Sequence, residues 1–280
     1  MKLRGLLGGV LLSGITLSGC QSPTQALQAL ASVHGYRLET ISSRPFPLML
    51  AAPQRVPPAS RLRFYIEGDG YAWATSTQPS LDPSPRHLML ASLALADPAP
   101  AFYLARPCQF AMPAGCERAL WTDRRFAPEV LASLDRALSA LKARYGNRDF
   151  ELVGYSGGAA LALLLAATRD DVAQVQTLAG NLSPREWTQA MDLAPLTGSL
   201  EPLDYRQRLA HIPQRHWIAA ADRIVPPRLA EQYRRTLGQD ACVELRVVAN
   251  ATHADGLGAA WAAGRDLPIQ CSASFERLLD

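Results

Sequence analysis

The sequence predicts an α/β fold with a mostly parallel central sheet and helices on both of its faces. Short apolar segments alternate with helical segments along most of the chain. Apolar strands that alternate with helices imply a parallel sheet that is covered on both sides. The chain has 280 residues, of which 48% are hydrophobic, and this is enough for a sizeable core. No internal repeat is apparent, so we expect one domain.

The strands are predicted from short apolar runs bounded by turn residues. A short helix is expected at TQALQALAS, and two extended segments in the proline-punctuated stretch RPFPLMLAAPQRVPP. The strands that follow are LRFYIEG (62–68), AFYLAR (101–106), FELVGY (150–155), VQTLAG (175–180), HWIAAA (216–221) and VELRVV (243–248).

The helices are predicted between these strands from their composition and their end signals. The segment HLMLASLALA (87–96) forms the first, and Pro128 begins a second that ends at Gly146. The alanine-leucine run AALALLLAA follows Gly158 and contains no helix breaker. Ser183, Pro184 and Glu186 occupy the N-cap, N1 and N3 positions of another helix. PPRLAEQYRRTLG predicts the last, which ends at Gly238.

A serine surrounded by glycines lies at the junction of strand 150–155 and the alanine-leucine helix. The sequence Gly154-Tyr155-Ser156-Gly157-Gly158 fits the pattern G-x-S-x-G. A tight turn here forces strained backbone angles on the serine and leaves room only for small neighbours. The hydroxyl is thereby exposed near a helix N-terminus, whose free N–H groups favour developing negative charge. Ser156 is therefore the candidate nucleophile.

An activated serine needs a histidine base and a carboxylate that orients the histidine. Asp222 follows the strand HWIAAA, and His253 follows the strand VELRVV. All three candidates thus lie at the carboxyl ends of strands, where catalytic groups gather in open α/β sheets. Asp222 has an alternative role as a helix-capping acid, and Asp255 is an alternative partner for the histidine. His34, His87, His211 and His216 are weaker candidates for the base because each lies before or at the start of an element or a proline.

The chain resembles the α/β-hydrolase superfamily over about residues 60–265. The resemblance rests on the G-x-S-x-G turn at Ser156, which is called the nucleophile elbow in that superfamily, on the order serine–acid–histidine, and on a glycine-containing loop after strand 62–68. The resemblance implies a serine hydrolase without metal or organic cofactor. It also implies an oxyanion hole formed by the backbone N–H groups of Gly157 and Asp69. The chain departs from the family at Glu67, where histidine is common, and at Asp69, which places a carboxylate beside an anion site. We expect this carboxylate to turn away or to be neutralised, for example by Arg106.

The substrate class is predicted only by analogy with the family. Carboxylic esters rank first, with a small-molecule or lipid acyl compound as partner. An envelope peptidase or amidase, and a non-catalytic binding lipoprotein with the same fold, are the alternatives. Four residues are candidates to line the substrate site or, equally, to pack over the sheet: Tyr71, Trp73, Tyr155 and Asn181. The segment 181–215 is the expected cap and is too short for a large lid.

The first nineteen residues predict an export signal, with Lys2 and Arg4 before an apolar stretch too short to span a bilayer. Leu17-Ser18-Gly19-Cys20 resembles the lipobox of bacterial lipoproteins, which implies cleavage before Cys20 and its acylation. We therefore expect a signal peptide at 1–19, a lipidated tether and N-terminal extension at 20–60, and the hydrolase domain at 61–280. Since Gln21 is not aspartate, similarity to Gram-negative lipoproteins favours the outer membrane, facing the periplasm. The alternative is an ordinary signal peptide.

The charge and the cysteine content bear on three further features: nucleic-acid binding, disulfides and a zinc site. Cleavage removes two of the 28 basic side chains and leaves 26 against 25 acidic ones, with no basic run, so nucleic-acid binding is not expected. Besides Cys20, the four cysteines suggest two disulfides, which allow three connectivities. Cys108–Cys116 and Cys242–Cys271 are favoured, because the first closes a short loop and the second ties the last strand to the C-terminal segment. A zinc site is less favoured because no CxxC is present.

Overall fold

A computed structural model of the protein describes residues 21–271, so the predicted signal segment and Cys20 lie outside the described residues. The described residues contain one eight-stranded sheet. Its strands are β1 (Tyr36–Ile41), β2 (Leu48–Pro53), β3 (Arg61–Ile66), β4 (Ala101–Leu104), β5 (Asp149–Tyr155), β6 (Val172–Leu178), β7 (Gln214–Ala219) and β8 (Val243–Val248).

The strand order is β1-β2-β4-β3-β5-β6-β7-β8. β2 runs antiparallel to its neighbours β1 and β4, and every other neighbouring pair is parallel. The prediction of a mostly parallel sheet is confirmed. All six strands predicted between residues 62 and 248 form, and their ends differ from the predicted ends by no more than three residues.

The α-helices of the described part cover the sheet on both faces. They are α1 (Pro23–Val33), α2 (Met89–Leu95), α3 (Pro128–Tyr145), α4 (Gly157–Thr168), α5 (Pro184–Ala190), α6 (Arg206–Leu209), α7 (Arg228–Leu237) and α8 (Leu257–Gly264). Short 3₁₀ turns lie at Arg118–Trp121 and Pro202–Tyr205. The segment that forms α8 carries no helix signal in the sequence, because two glycines in eight residues lower its intrinsic helix propensity. Burial of its Leu257 and Trp261 outweighs that cost.

The predicted helix ends form as the end signals indicate. Gly146 ends α3 in the left-handed conformation with a φ of 69°, which glycine adopts without strain. The Ser183 hydroxyl accepts a hydrogen bond from the Glu186 backbone N–H at 3.2 Å and caps α5. Both signals are local, which is why the sequence alone was sufficient to place them.

Alternate residues of each central strand belong to different layers of the core. On β3, Phe64 packs with α3 and α4 on one face, whereas Tyr65 packs with α1, α2 and α8 on the other. Phe102 and Tyr103 of β4 divide in the same way. This period of two fixes the register of the sheet and buries the strands on both sides.

The predicted N-terminal extension is joined to this sheet. β1 and β2 form a hairpin whose second strand pairs with β4, and α1 packs its Leu27 and Ala31 into the core. The cysteines pair as Cys108–Cys116 and Cys242–Cys271, which is the favoured connectivity. In residues 21–271, every helix is too short or too polar to cross a bilayer.

Candidate active site

Ser156 occupies a strained turn between β5 and α4. Its φ of 50° and ψ of −121° lie outside the regions that L-residues prefer. The turn is tightly packed, because a Cβ on Gly158 would lie 2.2 Å from the Ile66 carbonyl oxygen and one on Gly154 2.5 Å from the Ala159 Cα. Only glycine fits at these two positions, and the close approach of strand and helix holds the Ser156 hydroxyl at the carboxyl edge of the sheet.

The three predicted triad residues meet at this edge. The Ser156 hydroxyl lies 2.9 Å from His253 Nε2, and His253 Nδ1 lies 2.8 Å from Asp222 Oδ2. With the ring proton on Nδ1, the histidine donates to Asp222 and accepts the serine proton. The Asp222 side chain is 1% exposed, so its charge acts on the imidazole with little screening by water. In this geometry the serine can transfer its proton.

The loops that carry Asp222 and His253 are held against each other. The Ala221 N–H donates to the Ala251 carbonyl at 2.9 Å, which joins the loop after β7 to the loop after β8. Asp222 uses its Oδ1 within its own loop, where it accepts hydrogen bonds from the N–H groups of Ile224 and Val225 at 2.8 and 2.9 Å. One carboxylate oxygen therefore shapes the loop while the other orients the histidine.

Tyr155 contacts His253 through its hydroxyl group and its ring. Its hydroxyl donates to the His253 carbonyl at 3.1 Å, and the two rings lie 5.4 Å apart between centroids. Burial, together with the negative charge of Glu67, raises the pKa of Tyr155, so the phenol stays protonated and remains a donor. The structure thus places Tyr155 in contact with the His253 loop.

Asp255 and His216, two of the alternative residues, make no hydrogen bond to Ser156, His253 or Asp222 in residues 21–271. Asp255 engages Thr252 through its backbone, and its carboxylate makes no hydrogen bond to His253 within the described residues. His216 is fully buried on β7, where its Nδ1 lies 2.8 Å from the Thr177 hydroxyl. Burial lowers the pKa of His216 to about 3, which keeps it neutral.

The loop after β3 reaches over the elbow. A Cβ on Gly68 would lie 3.1 Å from the Ser156 Cβ, so the two residues are in close contact. Three N–H groups of the loop already have acceptors: Glu67 donates to Leu104, Gly68 to the Glu67 side chain, and Tyr71 to Pro83. Within residues 21–271, the N–H groups of Asp69 and Gly157 have no protein acceptor. These two donors are thus available for an anion next to Ser156.

The Asp69 carboxylate is clamped between two arginines. Arg106 Nη1 binds Asp69 Oδ1, and Arg125 Nη1 donates to Asp69 Oδ2 at 2.7 Å. Both arginines are almost fully buried. Burial of Asp69 alone would raise its pKa, but the two guanidinium groups outweigh burial and hold the pKa below its usual value. The expectation that Arg106 neutralises this carboxylate is met, and Arg125 is a second partner that the sequence analysis did not identify.

Glu67 takes the place of the histidine that is common in the superfamily. Its Oε1 accepts from the Gly68 N–H at 2.8 Å and its Oε2 from the Tyr103 hydroxyl at 2.7 Å. Burial raises the pKa of Glu67 to about 7, although both hydrogen bonds and Arg106 favour the ionised form. The side chain therefore fixes the start of the loop from inside the protein.

Gln109 is a further residue that the sequence analysis missed. Its Nε2 donates to the Gly68 carbonyl at 3.0 Å, and its Oε1 accepts from the Arg106 N–H at 3.0 Å. It bridges the loop after β3 to the loop after β4. Neither Gln109 nor Arg125 lies in a motif, so no local signal indicated them.

The remaining candidates occupy different environments. Trp73 is 40% exposed, and Tyr71 is partly exposed beneath the Arg86 guanidinium, which lies 3.4 Å from its ring centroid. Asn181 is 4% exposed, and its backbone N–H donates to the Ser156 carbonyl at 2.9 Å. Asn181 therefore holds the elbow from the side. A role for Tyr71 or Trp73 in lining the substrate site stays a prediction.

In the described part of the chain, no three His, Cys, Asp or Glu side chains are grouped so that they could hold a metal ion. The site consists instead of an oriented serine–histidine–aspartate array and two free backbone donors. Such an array is suited to nucleophilic attack on a carbonyl group, because a histidine that is already oriented can take the serine proton.

The fold, unlike the sequence, has many relatives. No protein-family model matches the chain, and no curated protein matches it in sequence. The esterase Pf2001 of Pyrococcus furiosus is 14% identical, with a TM-score of 0.57 over 89% of this chain and 91% of the esterase. Est1E of Butyrivibrio proteoclasticus is 14% identical, with a TM-score of 0.56 over 81% of this chain and 94% of Est1E.

A peptidase is also similar in structure. The puromycin-hydrolyzing peptidase of Mycobacterium tuberculosis is 17% identical, with a TM-score of 0.52 over 78% of this chain but only 36% of the peptidase. The structural neighbours thus include both esterases and a peptidase. On the evidence of its sheet order, its helices and these neighbours, the chain has the α/β-hydrolase fold.

Proposed function

We propose that the protein is a serine hydrolase that cleaves carboxylic esters through Ser156, His253 and Asp222. The observation that carries this proposal is the position of His253, which bridges Ser156 and the buried Asp222 at 2.9 and 2.8 Å. The esterases with the same fold support the more general part of the proposal, that the protein is a hydrolase.

In the proposed reaction, Ser156 Oγ attacks the carbonyl carbon while its proton passes to His253 Nε2. Asp222 stabilises the resulting imidazolium, and the N–H groups of Gly157 and Asp69 bind the oxyanion. Collapse of the tetrahedral intermediate breaks the bond to the leaving alcohol, which receives the proton from His253. A water molecule then attacks the acyl-enzyme with His253 as base, and Ser156 is regenerated as the acid leaves.

The support for esters over amides comes from the expected cap segment. The segment between β6 and β7 contains only short helices, so it supplies little surface to grip a peptide. Hydrolysis of amides at the same serine is the second candidate, since peptidases share the fold.

We further propose that Cys20 is acylated and anchors the protein in the cell envelope of a Gram-negative bacterium, on the periplasmic side of the outer membrane. The support is the sequence Leu17-Ser18-Gly19-Cys20 after an apolar export signal. Several acyl chains on one residue give stable membrane attachment.

The experiment that tests the catalytic proposal is labelling with a fluorophosphonate probe, followed by turnover of a short acyl ester and of the matching acyl amide. The wild type is compared with Ser156→Ala and with Ser139→Ala, whose hydroxyl is exposed on α3 and far from the elbow. Labelling and ester turnover are expected to disappear in Ser156→Ala and to persist in Ser139→Ala. A folded wild type without labelling and turnover would contradict the enzymatic proposal, and faster amide turnover would favour the second candidate.

A further inference from the structure

The first turn of α1 lies at the same edge of the sheet as the nucleophile. The Thr24 hydroxyl donates to the Phe110 carbonyl at 3.2 Å, and Phe110 belongs to the loop that follows the carboxyl end of β4. β1 is antiparallel to β2, and β2 is antiparallel to β4, so β1 runs in the direction of β4. α1 therefore starts at the carboxyl edge and descends to the amino edge, where β1 begins.

A short series of contacts joins this turn to Ser156. Gln109, the residue before Phe110, donates to the Gly68 carbonyl at 3.0 Å. Gly68 in turn lies against the Ser156 Cβ. The start of α1 and the nucleophile are thus separated by two packed loops rather than by the thickness of the domain.

The proposed anchor has little freedom to leave this edge. Ser22 is the N-cap of α1, and it closes a capping box with Gln25. Cys20 precedes Ser22 by two residues, which span at most about 7 Å when fully extended. An acylated Cys20 would therefore hold the bilayer surface close to the Phe110 loop.

Exposed apolar side chains lie in the loops at this edge of the sheet. We define the apolar rim as Trp73, Leu81, Met112 and Ile224, which are 40%, 77%, 47% and 54% exposed. They lie in the connections that follow β3, β4 and β7. Ile224 is bonded through its N–H to Asp222, and Met112 lies two residues after Phe110 in the loop closed by Cys108–Cys116. Exposure of each of these side chains to water is unfavourable in free energy, and contact with lipid would remove this unfavourable term.

We propose that the apolar rim docks on the lipid bilayer to which Cys20 is anchored, so that Ser156 faces the membrane. This proposal rests on the proposed function and names its substrate class: a carboxylic ester of an amphiphile that resides in the bilayer. Trp73 suits the interface, because indole combines an apolar body with one polar N–H. A short tether and an apolar rim on the same edge together fix which side of the protein faces the bilayer.

The test uses the full chain, expressed in a bacterium that acylates lipoproteins and reconstituted into vesicles of phosphatidylethanolamine and phosphatidylglycerol with brominated acyl chains. A new tryptophan is introduced at one of two edges in the Trp73→Phe background, and its quenching is compared with that in non-brominated vesicles. Met112→Trp probes the rim. Val33→Trp and Leu267→Trp are matched controls, because both positions are exposed at the opposite edge.

The added fluorescence of Met112→Trp is expected to be quenched several-fold more than that of Val33→Trp or Leu267→Trp. Equal quenching at the two edges, or stronger quenching at Val33 or Leu267, would overturn the proposal, as would a mass spectrum without acyl chains on Cys20. Fluorophosphonate labelling of the same samples reports the proposed function separately. A sample that is oriented but unlabelled refutes the hydrolase, whereas a labelled sample without orientation refutes the docking.

Discussion

The Asp69 carboxylate packs directly against the backbone of Gly157, the residue that follows the nucleophile. A Cβ at position 157 would lie 2.1 Å from Asp69 Oδ1, so the two residues leave no space between them. Arg106 and Arg125 hold the carboxylate in this place. The Asp69 side chain therefore acts as a spacer that sets the distance between the loop after β3 and the start of α4, next to the proposed oxyanion site.

We predict that Asp69→Asn destabilises the protein by about 2–3 kcal/mol and lowers ester turnover, because two buried arginines lose the charge that strengthens their hydrogen bonds while the side chain keeps its shape. Chemical denaturation and initial rates measure the two effects. Glu117→Gln is the matched control: it removes an exposed partner of Arg124 and should change stability by no more than about 0.5 kcal/mol. Equal effects of the two variants would show that the clamp contributes no more than a surface pair.

The choice of acid in the triad leads to a second prediction. Asp222→Asn keeps the hydrogen-bonding shape but favours the wrong histidine tautomer, and kcat/KM should fall by about 10⁴-fold. Asp255→Asn changes a carboxylate only two residues from His253, yet the rate should stay within about twofold, because this carboxylate makes no hydrogen bond to the ring in the described residues. Steady-state ester kinetics distinguish them, and a large loss in Asp255→Asn would reassign the acid.

The glycines of the elbow give a third prediction. Gly158→Ala places a methyl group 2.2 Å from the Ile66 carbonyl oxygen, so strand and helix must separate and fluorophosphonate labelling of Ser156 should be lost. Gly258→Ala lies within α8, where the nearest atom is 3.4 Å away, and should be tolerated or slightly stabilising. Retained labelling in Gly158→Ala would contradict the prediction that close packing of position 158 against Ile66 is needed to hold Ser156 in place.

Glu67 should make stability depend on pH. Its folded-state pKa of about 7 lies above its ordinary value, so the native state binds the proton more tightly and loses stability as the pH rises from about 4.5 to 7. Glu67→Gln removes this proton uptake. The stability of the wild type relative to Glu67→Gln should therefore decrease by about 2–3 kcal/mol between about pH 5 and pH 8.

His216 contributes a pH dependence of opposite sign. Its folded-state pKa of about 3 lies below the ordinary value, so its contribution is complete above about pH 6.5 and is lost as the pH falls toward 3. The wild type and Glu67→Gln share this contribution, and their difference isolates Glu67. Urea unfolding at several pH values provides the measurement, and parallel curves for the two proteins would contradict a raised pKa at Glu67.

The local signals in the sequence were sufficient for the six strands between residues 62 and 248, for most helices and for the three triad candidates. Glycine at 154 and 158, proline at 128 and serine at 183 act on their immediate backbone, so their effects are readable without a fold. The strand that precedes each candidate also places it at one edge of the sheet, because parallel strands share their carboxyl edge. α8 was missed because its burial against β7, and not its composition, stabilises it.

The sequence by itself determined the order of the strands between residues 62 and 248, the strained position of Ser156 and the placement of Ser156, Asp222 and His253 at the carboxyl edge. Only the tertiary structure decided which of these residues touch. It placed Asp222 rather than Asp255 in hydrogen-bonding distance of His253, paired the cysteines in one of three possible ways, and brought Arg125 to Asp69 across a separation of 56 residues. The physical reason is range: propensity and capping act within a few residues, whereas a buried charge is compensated by whichever group the packing brings within hydrogen-bonding distance.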